Sequence, residues 1–308
     1  MIKIGSRASQ LALCQAHWVR DQLQAKGQEC EIIKIQTTGD KITDVPLAKV
    51  GGKGLFVKEI EEALLDETID LAVHSMKDVP SELPEGLIIA AIPQREDSRD
   101  ALVSHNGKKL DELPKGARVG TSSLRRQSQL LALRPDLKIV SLRGNLDTRL
   151  QKAKQGEFDA VVLAAAGLHR MGWKDDITEY LPIDRFLPAI GQGALGIEIR
   201  KFDPEIQEII LPLNHSDTSI AIKAERDLLA RLEGGCQVPI GGHATLKDGK
   251  ITLQGLVASL DGKRVIRETK TVAYLEARGL GVSVAEALLK KGAGAILEAI
   301  YAAGEGKN

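Results

Sequence analysis

Lys3-Ile4-Gly5-Ser6-Arg7-Ala8-Ser9-Gln10-Leu11-Ala12-Leu13 and Arg118-Val119-Gly120-Thr121-Ser122-Ser123-Leu124-Arg125-Arg126-Gln127-Ser128-Gln129-Leu130-Leu131 follow one plan: a short strand, a glycine turn rich in hydroxyls, then a helix. Self-similarity of this kind constrains everything around it, because two copies of a unit call for two copies of a fold. The echo continues downstream. Ile32-Ile33-Lys34-Ile35 leads to Gly39-Asp40, and Leu137-Lys138-Ile139-Val140 leads to Arg143-Gly144-Asn145. After a further helix, each copy reaches a matching acidic strand start, Ile69-Asp70-Leu71-Ala72-Val73 and Phe158-Asp159-Ala160-Val161-Val162. Strands alternating with helices at this spacing predict two α/β lobes with largely parallel sheets.

Two segments bound the second copy. Residues 92–100 are polar, and Leu187-Pro188-Ala189-Ile190-Gly191-Gln192-Gly193 is rich in turn formers, so both read as hinges. Beyond the second, Ala194-Leu195-Gly196-Ile197-Glu198-Ile199 alternates like a strand and is expected to return to the first lobe, joining the lobes by two crossovers. That arrangement resembles the hinged periplasmic binding proteins, whose ligand lies between lobes. From about Ser216 the pattern changes: a helix over 220–232, a Gly-rich turn, strands around 244–246, 251–258 and 265–272, and a closing helix from about Glu276. Asp261-Gly262 is a hairpin signal. The expected units are residues 1–93 with 194–213, residues 99–187, and a small α+β domain over 216–308.

Composition narrows the function. Of 308 residues, 42 are Lys or Arg and 42 are Asp or Glu, and aromatics make up 3%. A neutral chain with few aromatics has no general field for nucleic acid or an anionic membrane, so any anion site must be local. The amino terminus runs straight into a strand pattern and no long apolar run follows, which predicts a cytoplasmic protein without a membrane segment. Cys14, Cys30 and Cys236 have no metal or disulfide spacing, and the six His are scattered, so no metal is expected. Cys14 and Cys30 read as small core residues.

The two strand-to-helix turns are candidate anion sites, since the first N–H groups of a helix are unpaired and its dipole is positive there. Arg7, Ser9, Thr121, Ser122, Ser123, Arg125 and Arg126 add side-chain donors; the competing reading makes the hydroxyls helix caps and the arginines solvated. Arg143, Arg149 and Arg170 extend the basic set, and guanidinium forks suit carboxylates. Gly51-Gly52-Lys53-Gly54 lacks the spacing of a phosphate loop and reads either as a lid or as a plain surface loop. Asp78 ends Leu71-Ala72-Val73-His74-Ser75-Met76-Lys77-Asp78-Val79-Pro80, where an apolar strand carries a charge to the sheet's carboxyl edge. It is either a site group or a turn former paired with Lys77. Cys236, within Gly234-Gly235-Cys236-Gln237-Val238-Pro239, is either a reactive or modified sulfur or an incidental thiol in a tight loop.

In order and spacing these segments, together with Lys49-Val50-Gly51-Gly52-Lys53-Gly54-Leu55-Phe56, resemble the porphobilinogen deaminase family, also called hydroxymethylbilane synthases, over essentially the whole chain. The resemblance implies that Cys236 carries a dipyrromethane cofactor through a thioether. It implies that each porphobilinogen loses its aminomethyl nitrogen as ammonia, that the resulting azafulvene is attacked by the α-carbon of the growing chain, and that four additions precede hydrolysis. It assigns the catalytic carboxylate to Asp78 and carboxylate recognition to Arg7, Ser9, Lys77, Thr121, Ser122, Ser123, Arg125, Arg126, Arg143, Arg149 and Arg170. Lys53 and Phe56 fall near the growing chain, and the enzyme is expected to be a monomer. The rival reading is a two-lobed cytoplasmic sensor of a small anion, which needs neither Cys236 in its Gly-rich loop nor a third domain.

Overall fold

The computed structural model describes residues 1–41, 57–232 and 238–305. In the first lobe, β1 (Ile2–Arg7), β2 (Cys30–Ile35), β3 (Leu71–Ser75), β4 (Leu87–Ala91) and β10 (Leu195–Arg200) form a sheet of order β2-β1-β3-β10-β4. The second lobe repeats it with β5 (Asp100–Ser104), β6 (Arg118–Gly120), β7 (Lys138–Val140), β8 (Ala160–Ala164) and β9 (Glu179–Leu181), in the order β7-β6-β8-β5-β9.

Each sheet holds two parallel and two antiparallel pairings, which corrects the expectation of largely parallel sheets. The crossing chain is the cause. Leu195 pairs with Ser75 and Asp100 with Ala164, so β10 and β5 each start beside the carboxyl end of a parallel strand and have to run back along it.

The repeat holds at the level of single bonds. Asp70 accepts the Lys3 N–H at 2.8 Å while its own N–H goes to the Lys3 carbonyl; Asp159 accepts the Arg118 N–H at 2.7 Å and returns a bond to the Arg118 carbonyl. The acidic residue before each central strand thus locks the head of the first strand in register.

Both faces of both sheets are covered. Helix α1 (Gln10–Gln24) buries Ala12, Ala16, Val19 and Leu23, spaced by three and four residues as one helical stripe, and several of these pack on Ile4, Leu71 and Val73. A short α2 (Thr38–Lys41) closes the first described segment, and α3 (Lys58–Leu65) sets Ile60 and Leu64 against Ile69 and Ala72 on the opposite face. In the second lobe, α4 (Leu124–Leu133) covers Val119, Ala160 and Val162 with Leu130, while α5 (Leu146–Lys154) covers Val161 and Leu163 with Leu150 and Ala153. Alternate residues of β3 and β8 therefore face opposite cores, as the pleat requires. Each fully buried Leu or Val side chain contributes roughly 1.5–3 kcal/mol. Helices α6 (Ala165–Arg170) and α7 (Pro204–Ile210) complete the two lobes.

The third domain is an antiparallel sheet of β11 (Ile240–Lys247), β12 (Lys250–Ala258) and β13 (Val265–Ala273), under α8 (Ser216–Arg231). The hairpin at Asp261-Gly262 joins β12 to β13. In place of one closing helix from about Glu276 there are two, α9 (Leu280–Lys290) and α10 (Ala293–Glu305), because Gly292 takes φ +93° and ends the first.

Both crossovers are gripped by this domain. Buried Glu225 of α8 accepts Arg95 Nη1 at 2.6 Å, the Gly191 N–H at 2.7 Å and the Ala244 N–H at 2.8 Å, so one carboxylate ties the two crossing segments to β11. Ser98 meets His243 Nε2 at 2.8 Å. The crossovers also pair with each other, the Glu96 N–H donating to the Gly193 carbonyl. Gly193, at φ +90°, has no room for a side chain, since a Cβ would come within 2.5 Å of the Glu96 carbonyl oxygen.

Candidate active site

β3 is buried along nearly its whole length and ends in a 3-10 turn, Met76–Asp78. Three bonds fix that ending: Gln15 Nε2 to Ser75 Oγ at 3.0 Å, the Met76 N–H to the Ala194 carbonyl at 3.0 Å, and the Val79 N–H back to the Met76 carbonyl. Met76 and Val79 point into the core, which leaves Lys77 and Asp78 half-buried at the carboxyl edge of the sheet.

The facing turn of the second lobe is built from hydroxyls. Ser123 caps α4 by accepting the Arg126 N–H, just as Ser9 caps α1 by accepting the Ala12 N–H. Exposed Ser122 bonds Ser141 Oγ and the Leu142 carbonyl, so it joins this turn to the one after β7. Thr121 is buried and accepts the Ser123 N–H. The capping alternative is thus realised for one serine in each turn, Ser9 and Ser123.

Arg125 and Arg126 are buried rather than solvated. Arg125 donates through Nη1 to Asp100 Oδ2 and to the Leu187 carbonyl, both at 2.7 Å; Arg126 donates through Nε and Nη2 to Asp100 Oδ1 at 2.9 and 2.7 Å, and through Nη1 to the Val162 carbonyl. Gln192 of the second crossover adds a bond to the same carboxylate. Burial alone would raise Asp100, but the two guanidinium groups outweigh it and hold its carboxyl down at about 2.

Charges from both lobes meet at Lys77. Burial pushes its ammonium below the ordinary lysine value; Asp78 pulls the other way, Arg126 adds to the push, Asp100 opposes it and Arg149 adds again. Arg149 is pushed down to about 10, first by burial, then by repulsion from Arg126 and Arg143, with Asp78 opposing. Lys77 of the first lobe is therefore electrically coupled to Arg126 and Arg149 of the second, and Asp78 to Arg149, which Arg143 also repels. Cations outweigh carboxylates in this group, and their mutual repulsion is what a ligand carrying several carboxylates would relieve. The residues fit a dipyrromethane with acidic side chains.

Arg170 donates to the Gly193 carbonyl at 2.8 Å and its own carbonyl accepts the Cys14 thiol at 3.1 Å, so it links the lobes at the second crossover. Its guanidinium is pushed down by burial, against the pull of Glu96. Arg7 is half-buried at the end of β1. Lys53, Phe56 and Cys236 lie outside the described residues, as does the expected lid at 42–54.

Asp100, Gln192, Glu225 and Arg95 escaped the sequence reading. Asp100 follows Glu96-Asp97-Ser98-Arg99, a run that looks solvated; the signal that could have marked it is the apolar Ala101-Leu102-Val103 directly behind it.

Fold and site define a chain of two α/β lobes and a third α+β domain, with a carboxylate from one lobe set against cations of the other. Comparison with known sequences gives the family. Residues 2–208 match the family model described as porphobilinogen deaminase, dipyromethane cofactor binding domain, and residues 219–290 match the porphobilinogen deaminase C-terminal domain. The porphobilinogen deaminase of Syntrophobacter fumaroxidans is 59% identical over 98% of this chain and 99% of its own length. That of Syntrophotalea carbinolica is 57% identical over 97% of this chain and 96% of its own. The chain belongs to the porphobilinogen deaminase family. Among solved structures, a periplasmic substrate-binding protein from Coxiella burnetii aligns with 73% of this chain and 97% of its own, at 16% identity and a TM-score of 0.42.

Proposed function

We propose that this chain joins four porphobilinogen molecules head to tail on a dipyrromethane primer held by Cys236, releasing ammonia at each addition and hydroxymethylbilane by hydrolysis at the end. The observation that carries the reading is the coupling of Lys77 and Asp78 in the first lobe to Arg149 in the second, in a chain whose relatives match it end to end. It favours the enzyme over an anion sensor.

Bound to Cys236, the dipyrromethane supplies the free α-carbon to which each new pyrrole is joined. When a porphobilinogen loses its aminomethyl nitrogen, the C–N electron pair leaves with nitrogen, which departs as ammonia after protonation, and positive charge grows on the pyrrole. Asp78 stabilises that charge through the pyrrole N–H. Asp78 would stabilise charge on the ring being extended in the same way and take up its α-proton. Arg126, Arg143, Arg149 and Lys77 bind the acetate and propionate groups. Arg7, Ser9, Thr121, Ser122, Ser123, Arg125 and Arg170 line or brace the same region, and Lys53 acts from the segment before α3.

The chain on this reading divides into residues 1–93 with 194–213, 99–187 and 216–308, a division supported by the return of β10 to the first sheet and by separate apolar cores. It takes the enzyme to act as a cytoplasmic monomer without nucleic acid. Among the described residues no helix is long and apolar enough to cross a membrane.

The test is turnover. Purified protein should consume porphobilinogen and release ammonia. Asp78→Asn should remain folded and turn over about 100- to 10,000-fold more slowly. Near-normal consumption by that variant would remove Asp78 from the chemistry, and an inactive wild type would overturn the reaction itself.

A further inference from the structure

Two consecutive residues of α8 reach out of the third domain. Glu225 holds both crossovers through Arg95 and the Gly191 N–H. Arg226 holds the exit of the Asp78 turn: Nη1 donates to the Val79 carbonyl at 3.2 Å, and Nη2 donates to the carbonyls of Pro80 at 2.6 Å and Ser81 at 3.2 Å. A planar guanidinium can serve a fan of three carbonyls at once, which a lysine ammonium on a flexible stem does less well.

The start of the same turn is braced from the second crossover. The Ala194 carbonyl accepts the Met76 N–H, and Gly191, at φ +72°, lies so close that a Cβ there would come within 3.2 Å of the Lys77 backbone nitrogen. Asp78 thus sits between two anchors, one at Met76 and one at Val79–Ser81. Behind the turn lies a hollow of about 480 Å³ whose lining includes Met76, Ser81, Ile92, Ile222 and Arg226. Without the guanidinium, the turn has space into which it can relax.

We propose that Arg226 is a positioning residue for the reaction: by fastening the carbonyls of Val79, Pro80 and Ser81 it holds the Asp78 carboxylate where charge develops on the pyrrole. The proposal rests on Asp78 being the catalytic carboxylate. It also makes the cofactor-bearing domain part of the catalytic geometry, since the helix that precedes Cys236 in sequence is the one that fixes the turn.

A displacement of about 1 Å in a catalytic group costs on the order of 100-fold in rate. Arg226→Met should therefore lower kcat about 10- to 100-fold per molecule of folded, primer-loaded enzyme, counted by intact mass and circular dichroism, with KM within about threefold of wild type. Arg226→Lys should recover part of the loss. Arg231→Gln, at the exposed Arg231–Glu286 pair on the same helix, should change neither constant. A kcat within about twofold of wild type, or a loss that merely follows the folded and loaded fraction, overturns the proposal. If Arg226→Met does not fold, Arg226→Lys decides by the same criteria, with an intermediate kcat supporting the proposal and a wild-type kcat overturning it. A wild type that consumes no porphobilinogen overturns the reaction assignment and this proposal together; an active wild type with an unaffected variant overturns this proposal alone.

Discussion

At the carboxyl end of β3 the first lobe finishes its central strand in a turn that presents Lys77 and Asp78 half-buried, whereas at the same place in the second lobe β8 passes straight into α6. The neighbouring strand differs in the complementary sense. Ser75 is paired with Leu195 in the first lobe, and Ala164 is paired with Asp100 in the second. One topology therefore carries a carboxylate in both lobes, but at different depths. Asp78 is half-buried, while Asp100 is fully buried and holds Arg125 and Arg126. A duplicated backbone can thus supply an acid on one side and an ordered bank of cations on the other, and the depth of the carboxylate sets which role it takes.

The strongest way to break this comparison is at Asp100. Asp100→Asn leaves two buried guanidinium groups with a neutral partner, and should destabilise the protein by about 3–5 kcal/mol in urea unfolding. Asp78→Asn should cost less than about 1 kcal/mol in the same experiment, because its site is half-exposed. Equal stability losses in the two variants would show that depth does not separate the roles.

A smaller effect probes the interior of the first lobe, which has buried charge of its own. His74 of β3 meets Glu198 of β10 at 2.8 Å, and Glu61 of α3 is pushed up to about 7 by burial, by Glu198 and by Glu62, against His74. A carboxyl raised in the folded state contributes stability that is complete below its unfolded value near 4.5 and is lost as pH rises through about 7. Glu61→Gln should therefore match wild type at pH 4.5 and exceed it by about 2 kcal/mol at pH 8. Comparing the two proteins at each pH cancels the buried His243. That residue is pushed down to about 4 by burial and works in the opposite sense, its destabilising effect growing as pH falls. A difference between the proteins that does not change with pH would assign Glu61 no titration in this range.

Much of this was legible in the chain itself. The paired strand-turn-helix segments announce two related lobes, and Asp70 and Asp159, which read as acidic strand starts, prove to make the same backbone bonds. Asp78 stands out because an apolar strand runs directly into it. The direction of β5 and β10 did not show, since alternation reveals a strand but not which end of a sheet it enters. Arg125 and Arg126 were visible as cations but not as a buried pair, because their partner lies in a run of charges, 96–100, that reads as solvated linker. Arg226 was hidden for the same kind of reason: a charged residue on an amphipathic helix reveals its partners only once the helix is docked.

The central claim is that Cys236 tethers a primer on which Asp78 repeats one chemistry, and intact-mass measurement of protein from cells that make porphobilinogen tests it most directly. Wild type should carry an adduct equal in mass to two pyrrole units, absent from Cys236→Ser and retained in Asp78→Asn. An unmodified wild-type mass, or an adduct that survives Cys236→Ser, would contradict the account.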